Sequence, residues 1–407
     1  MSLNDNMKKY ADLIVKVGSN VMEGDIVTIK CPVERADFGR MLTESAYKSG
    51  AKQVNIDWND GVITRMHYEN QDVEVLEDIP QYSYDKLEWF AKAGEKKIGI
   101  SAQDPELFKG LDTQKLQRAF KASGEKYQPL RKYTMNDINS WTVVSVPTEA
   151  WAKKVFPDSE NPVDDLWEAI FKTTRVDLED PVKAWEEHIE KLSIKANWLN
   201  DLDLKTLKYK ASNGTDLEIE LPEGHIWTAS SSVNSKGEEF VPNMPTEEVF
   251  TLPHKDRVNG IVYASKPLIY KGNLIDEFWL RFKDGAVVDF DAKVGKETLQ
   301  SIFDKDERAR KLGEVALVPY DSPISNSNIL FYNTLFDENA SCHLALGKAY
   351  PTTIKNGENM SDEELAAHGV NDSLAHEDFM VGTPDLDIVG IKKDGTEIQI
   401  FKNGNWA

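Results

Sequence analysis

The sequence predicts an α/β fold: an N-terminal α/β domain with a largely parallel sheet over residues 1–200, followed by a strand-rich α+β domain over residues 201–407. Three observations carry that expectation. Up to Trp198, helical periodicity alternates with short apolar runs, the signature of layered helices and strands. After Leu202 the texture changes to short segments of alternating polarity. With 407 residues, 40% of them hydrophobic, the chain is long enough for two units, each with its own core.

In the first half, Tyr10 to Val21 and Ala36 to Ser49 read as helices. GDIVTIKCP, KQVNIDW, KKIGISA and WTVVSVP read as buried strands, since each is a short apolar run bounded by Gly, Asp, Lys or Pro. VDDLWEAIFKTTRV and DPVKAWEEHIEKLSIKANWLN read as helices, and Pro181 after Asp180 suits the start of the second. In the second half, LKYKA, DLEIEL, GIVYAS, LIYKG, FWLRF and VVDFDA read as strands. Asp284-Gly285, Asp394-Gly395 and Lys271-Gly272-Asn273 sit between alternating runs as hairpin turns. Helices are expected over GKETLQSIFDKDERARKLG, SCHLALGKAY and SDEELAAHG. No internal repeat or low-complexity tract interrupts this pattern, so the expected boundary near residue 200 rests on the change of texture.

Composition narrows the function. Two cysteines, Cys31 and Cys342, lie far apart and form no disulfide framework, which points to a reducing compartment. The N-terminus lacks a basic segment followed by an apolar core, and no stretch approaches the roughly 20 apolar residues of a membrane span. A soluble cytoplasmic protein without a membrane partner is therefore expected. A formal charge of -21, with no basic stripe to offset it, argues against nucleic acid as a partner. An acidic surface tolerates a cationic ligand such as a peptide amino terminus, although it also serves solubility. Nucleophile-elbow, P-loop, dinucleotide-fingerprint and paired-cysteine motifs are all missing.

The chemistry-bearing residues gather in the second half. His376-Glu377-Asp378-Phe379-Met380 resembles the start of a zincin helix but has methionine where the second histidine belongs. Read as a strand, it puts His376 and Asp378 on one face, against the plainer alternative of an exposed acidic strand end. In NTLFDENASCHLALGKAYP, Asn339 or Ser341 is placed to cap a helix beginning near Cys342 and stopping before Pro351. His343 and Tyr350, seven apart, would share one face of that helix, with Glu338 in the entering loop. The helix N-terminus would add donors for an anionic intermediate. A satisfied histidine at the helix start and a core tyrosine are the ordinary alternative. Glu314 in KLGEVALVP, and Glu247-Glu248 in NMPTEEVFTLP, stand in apolar settings. Burying a lone carboxylate costs several kcal/mol, so such an acid invites a cation or strong donors unless it is a surface group at a strand end. Strand alternation sends only one of Glu247 and Glu248 inward.

NMPTEEVFT, LGEVALVP, LFDENASCHLALGKAY, HEDFMVG and the closing FKNGNW together resemble the M29 aminopeptidases, the family of aminopeptidase T, AmpS and PepS. The likeness runs along nearly the whole chain and includes WTVVSVPTEAWAKKVFP and DPVKAWEEH. It implies metal ligands at Glu248, Glu314, Glu338, His343, His376 and Asp378, with an active-site tyrosine at Tyr350. The second glutamate of the Glu247-Glu248 pair is preferred, and Cys342 receives no role. Four carboxylates and two imidazoles suit two divalent ions about 3.5 to 4 Å apart, and zinc, cobalt, manganese and magnesium all fit such mixed ligands. The implied activity is release of N-terminal residues from short peptides with a free amino terminus by a metal-activated water. Glu314 is the expected general base, with Glu338 second, and Tyr350 would stabilise the oxyanion or lie at the edge of a metal shell. The resemblance also implies a homodimer with active sites facing an enclosed chamber, and makes residues 201–407 the metal-binding catalytic domain. Competing readings are a di-metal amidase or phosphoesterase, and a peptide-binding module without turnover.

Overall fold

The computed structural model describes residues 2–102, 104–270 and 272–407. The chain divides into two compact units, Met1–Glu187 with Ser231–Pro245, and His188–Ser230 with Thr246–Ala407.

Unit one is built on a four-stranded parallel sheet in the order Gln53–Asn59, Ile26–Pro32, Lys96–Ile100, Trp141–Val144. Ile26–Pro32, an inner strand, is buried at nearly every position, as strands covered on both faces are, whereas the edge strand Gln53–Asn59 is only partly buried. The first helix, Leu3–Leu13, starts earlier than its periodicity suggests because Ser2 and Asp5 form a capping box. It runs into a π-helical turn over Ile14–Gly18. Tyr10, Phe38, Trp167 and Phe171 form an aromatic cluster in this core. Pro181 is the first residue of the helix Pro181–Leu202. The Lys96 ammonium is fully buried and meets Asp25 at 3.3 Å, Glu238 at 2.8 Å and the Asn20 carbonyl at 2.5 Å.

Unit two holds two sheets. Among the described residues the larger has nine strands, in the order Leu268–Tyr270, Asn273–Lys283, Val258–Tyr263, Asp216–Glu220, Leu204–Lys210, Asp387–Lys392, Glu397–Lys402, Asn405–Trp406, with Ala286–Val294 also paired to Asn273–Lys283. At the Asp284-Gly285 turn both residues have positive φ, 49° and 83°. A Cβ on Gly285 would come within 1.9 Å of the Lys255 carbonyl, so glycine is required there. Gly395, with φ 87°, likewise turns the chain between Asp387–Lys392 and Glu397–Lys402. Of the third expected turn, Lys271 lies outside the described residues; the strands on either side pair antiparallel.

The smaller sheet is antiparallel, four strands in the order His376–Met380, His343–Gly347, Leu312–Leu317, Val249–Thr251. Val315, Leu317, Leu344, Leu346 and Phe379 join Leu207, Ile219, Val262, Phe278 and Leu280 of the larger sheet in one hydrophobic core. Side chains alternate along a strand, so the residues between these apolar ones face the other way.

The segment expected to be a helix after Cys342 is instead the strand His343–Gly347, paired on both sides and buried at all five positions. Its alternation has period two, with Leu344 and Leu346 entering the core, and pairing on both edges satisfies its backbone; this context overrides the helix propensity of Leu, Ala and Lys. Neither Asn339 nor Ser341 therefore caps a helix there, no helix N-terminus supplies donors, and His343 and Tyr350 share no helix face. Before the strand, Thr334–Asp337 makes one helical turn and Glu338–Ala340 a 3-10 turn. The helix expected over GKETLQSIFDKDERARKLG ends at Phe303, with a 3-10 turn over Glu307–Arg310 before the strand at Leu312. Asp362–Ala367 is helical behind a Ser361/Glu364 capping box. Among the described residues no helix is long and apolar enough to cross a membrane.

Candidate metal centre

The face of the smaller sheet turned away from the core carries Glu314, His343, His376 and Asp378. Strand register sets Glu314 opposite Ala345, and Ala345 opposite Asp378; His343 sits opposite Ala316 and Met380, and His376 opposite Gly347. Ala316, Ala345 and Gly347 thus stand beside the large ionisable residues, leaving room between them. Glu248 immediately precedes the edge strand Val249–Thr251, whose Phe250 pairs with Ala316.

Two groups of three result. Glu248, Glu314 and His343 place one ligand atom each within 4.8 Å of one another, and so do Glu314, His376 and Asp378. His343 Nε2 lies 3.0 Å from Glu248 Oε2 and 3.5 Å from Glu314 Oε1. His376 Nε2 lies 3.8 Å from Glu314 Oε2 and 3.7 Å from Asp378 Oδ2. Glu314 is therefore shared, one oxygen towards each imidazole.

Backbone contacts fix the rings. A carbonyl only accepts, so His343 Nδ1–H donates to Ser341 O at 3.3 Å and His376 Nδ1–H to Lys348 O at 2.7 Å. Each Nε2 is thereby aimed at the carboxylates, the arrangement usual for metal-binding histidines.

Glu338 belongs to neither group and is partly exposed, yet burial and the charges of Asp378 and Glu248 hold its carboxyl well above the usual range. Glu314 is also raised, by burial first, with the His343 contact opposing and Asp378 adding to the rise. Burial disfavours a charged His343, but the Glu248 and Glu314 carboxylates outweigh it and raise that imidazole well above its ordinary value. His376 is raised in the same way, Asp378 and Glu314 outweighing burial. Tyr350 stands with its ring 5.2 Å from His376 and 6.2 Å from Phe250. Burial and the neighbouring carboxylates push its phenol well above normal, so it stays protonated near neutrality.

Four carboxyls gather with two imidazoles, and burial and mutual repulsion disfavour the charged forms of Glu314 and Glu338 when no cation lies between them. Asp378 Oδ1 is buried and has no hydrogen-bond partner. A buried oxygen without a donor and carboxyls that crowd one another are what divalent cations with oxygen and nitrogen ligands would resolve, so this donor set fits such ions. Cys342 is not part of it: its thiol lies in the apolar core and burial pushes it up to about 12.

Glu247, the neighbour of Glu248, points elsewhere, with Oε2 3.5 Å from His188 Nε2. His188 also donates to the Thr246 carbonyl at 2.7 Å, and Asn339 accepts the Glu247 N–H at 2.8 Å. Reading the sequence alone misses His188 altogether and treats Asn339 only as a cap. Their partners are 58 and 92 residues distant, beyond any local signal.

The family model described as thermophilic metalloprotease (M29) matches residues 3–406. The chain is 48% identical to aminopeptidase 2 of Geobacillus stearothermophilus over 403 residues, 98% of this chain and 97% of that one. It is 46% identical to aminopeptidase AmpS of Bacillus subtilis, covering 100% of this chain and 99% of that one. Among solved structures, wild-type AmpT from Thermus thermophilus matches with a TM-score of 0.93 and 37% identity, both chains being covered in full. A 2,5-dihydroxypyridine dioxygenase from Pseudomonas putida KT2440 matches with a TM-score of 0.55 at 10% identity over 100% of this chain and 98% of that one, a likeness of fold alone.

Proposed function

The chain belongs to the M29 metalloprotease family, and we propose that it is an aminopeptidase that releases N-terminal residues from short peptides with two divalent ions. The observation that carries this reading is the sharing of Glu314 between two ligand groups. Glu248, Glu314 and His343 would hold one ion, and Glu314, His376 and Asp378 the other, with Glu338 adding charge at their side. When bound, such ions polarise a scissile carbonyl, lower the pKa of water and accept a free amine, which favours exopeptidase action.

The remaining work falls to the protein. Glu314, between the two imidazoles, is our first candidate to take the proton of the attacking water and return it to the leaving amine, through an oxygen lone pair that the ions would leave free. One observation favours Glu338 in this role instead: it stands outside both groups, and its carboxyl is held well above the usual range. Tyr350, protonated near neutrality, would donate its O–H to the developing oxyanion. We further place the enzyme in the cytoplasm, where its two free cysteines would stay reduced, and as a homodimer acting on peptides rather than nucleic acid.

The test is hydrolysis of dipeptides and tripeptides by purified, chelated and metal-restored protein. Release of the first residue from free but not N-acetylated peptides, lost on chelation and restored by zinc, cobalt, manganese or magnesium, is expected. Equal hydrolysis of acetylated substrates or of phosphoesters would favour another di-metal hydrolase, and binding without turnover a peptide-binding module.

A further inference from the structure

Asn339 is completely buried and touches two of the ligand-bearing segments at once. Its Oδ1 accepts the backbone N–H of Glu247 at 2.8 Å, the residue before Glu248. Because that N–H is a donor, the amide orientation is set: the NH2 group turns the other way, reaching Leu335 O at 3.2 Å and Glu338 Oε1 at 3.4 Å. The same segment is held from its other side by His188, through the Thr246 carbonyl and the Glu247 carboxylate.

We propose that Asn339 is a positioning residue that ties the Glu338 carboxylate to the fixed segment carrying Glu248, so that Glu338 is preset for metal binding. The geometry explains why an amide stands there. Only a side chain with an acceptor on one side and donors on the other serves an N–H and a carboxylate together, and a carboxylate in its place would meet Glu338 with like charge. Glu338 has no partner strand to hold it, since it sits in a 3-10 turn outside the sheet. An orienting amide supplies what the strands supply for Glu314, His343 and Asp378.

This inference rests on the metal reading above, and the test separates the two. Zinc affinity is measured by competition with a chromophoric chelator on the full chain, with folding checked by circular dichroism. Wild-type protein that binds no zinc would defeat the metal reading itself. Given wild-type binding, Asn339→Ala should weaken affinity by about tenfold or more, the usual range for residues that orient metal ligands. In a Glu338→Ala background the same change should cost under about threefold, because coupled residues are not additive. Should Asn339→Ala fail to fold, Asn339→Asp, which keeps the shape and the acceptor for Glu247, is carried through the same cycle with the same expectation. An affinity within twofold of wild type, a tighter one, or an equal factor in both backgrounds would overturn the proposal.

Discussion

Each unit buries an ionic cluster, and the two clusters differ in one respect. In unit one the Lys96 ammonium has three protons and three acceptors, Asp25, Glu238 and the Asn20 carbonyl. In unit two, four carboxylates crowd two imidazoles and a buried oxygen of Asp378 has no donor. Burial of charge is common to both; what differs, among the described residues, is that the first cluster leaves no buried carboxylate oxygen without a donor while the second leaves Asp378 Oδ1 without one. Mismatch between buried charges and their partners, rather than burial, is what marks a site for an external cation.

The comparison breaks most sharply at Glu314. Glu314→Gln should lower peptide turnover by about 10²- to 10⁴-fold, the range for losing a general base, in steady-state assays on a dipeptide. Retained metal with turnover near wild type would remove its role as base and leave Glu338 as the candidate. At the closed cluster the loss should be of stability instead. Lys96→Met leaves Asp25 and Glu238 facing each other and should cost about 3–5 kcal/mol in urea unfolding, with zinc affinity unchanged. A parallel loss of zinc binding would mean that the two clusters do not play separate roles. Tyr350→Phe should reduce kcat by about 10²-fold at unchanged metal content, as expected for removing one oxyanion donor.

The smallest effect concerns Glu95, buried beside Lys96 and accepting a 2.5 Å hydrogen bond from Thr28. Burial raises its carboxyl above the usual value, so its contribution to stability is complete below the unfolded carboxylate range and is lost as pH rises through the raised folded value. Glu95→Gln, which remains neutral, should therefore have a higher Tm than wild type at pH 8 and the same Tm near pH 4. A difference at low pH that does not grow with pH would contradict that origin.

Much of this is legible in the sequence. The four apolar runs of the first half became the four parallel strands, because strands covered on both faces are written as continuous apolar segments. Read as a strand, HEDFMVG puts His376 and Asp378 on one face by its period of two, and the pairing of His376–Met380 with His343–Gly347 bears that out. SCHLALGKAY reads as a helix because Leu, Ala and Lys favour one locally, and only pairing on both edges makes His343–Gly347 a strand. That error carried Tyr350 with it: it approaches His376 from beyond the strand's end, not along a helix. His188 and Asn339 act through contacts that join distant segments, and no local pattern announces them.

The central claim is that six side chains on and around one sheet face form a site for two ions. Metal content per chain, measured by mass spectrometry after equilibration with zinc and removal of loosely held metal, tests it most directly. About two zinc ions per chain, both lost in Glu314→Ala, is the predicted result. A single ion, or none, would contradict it.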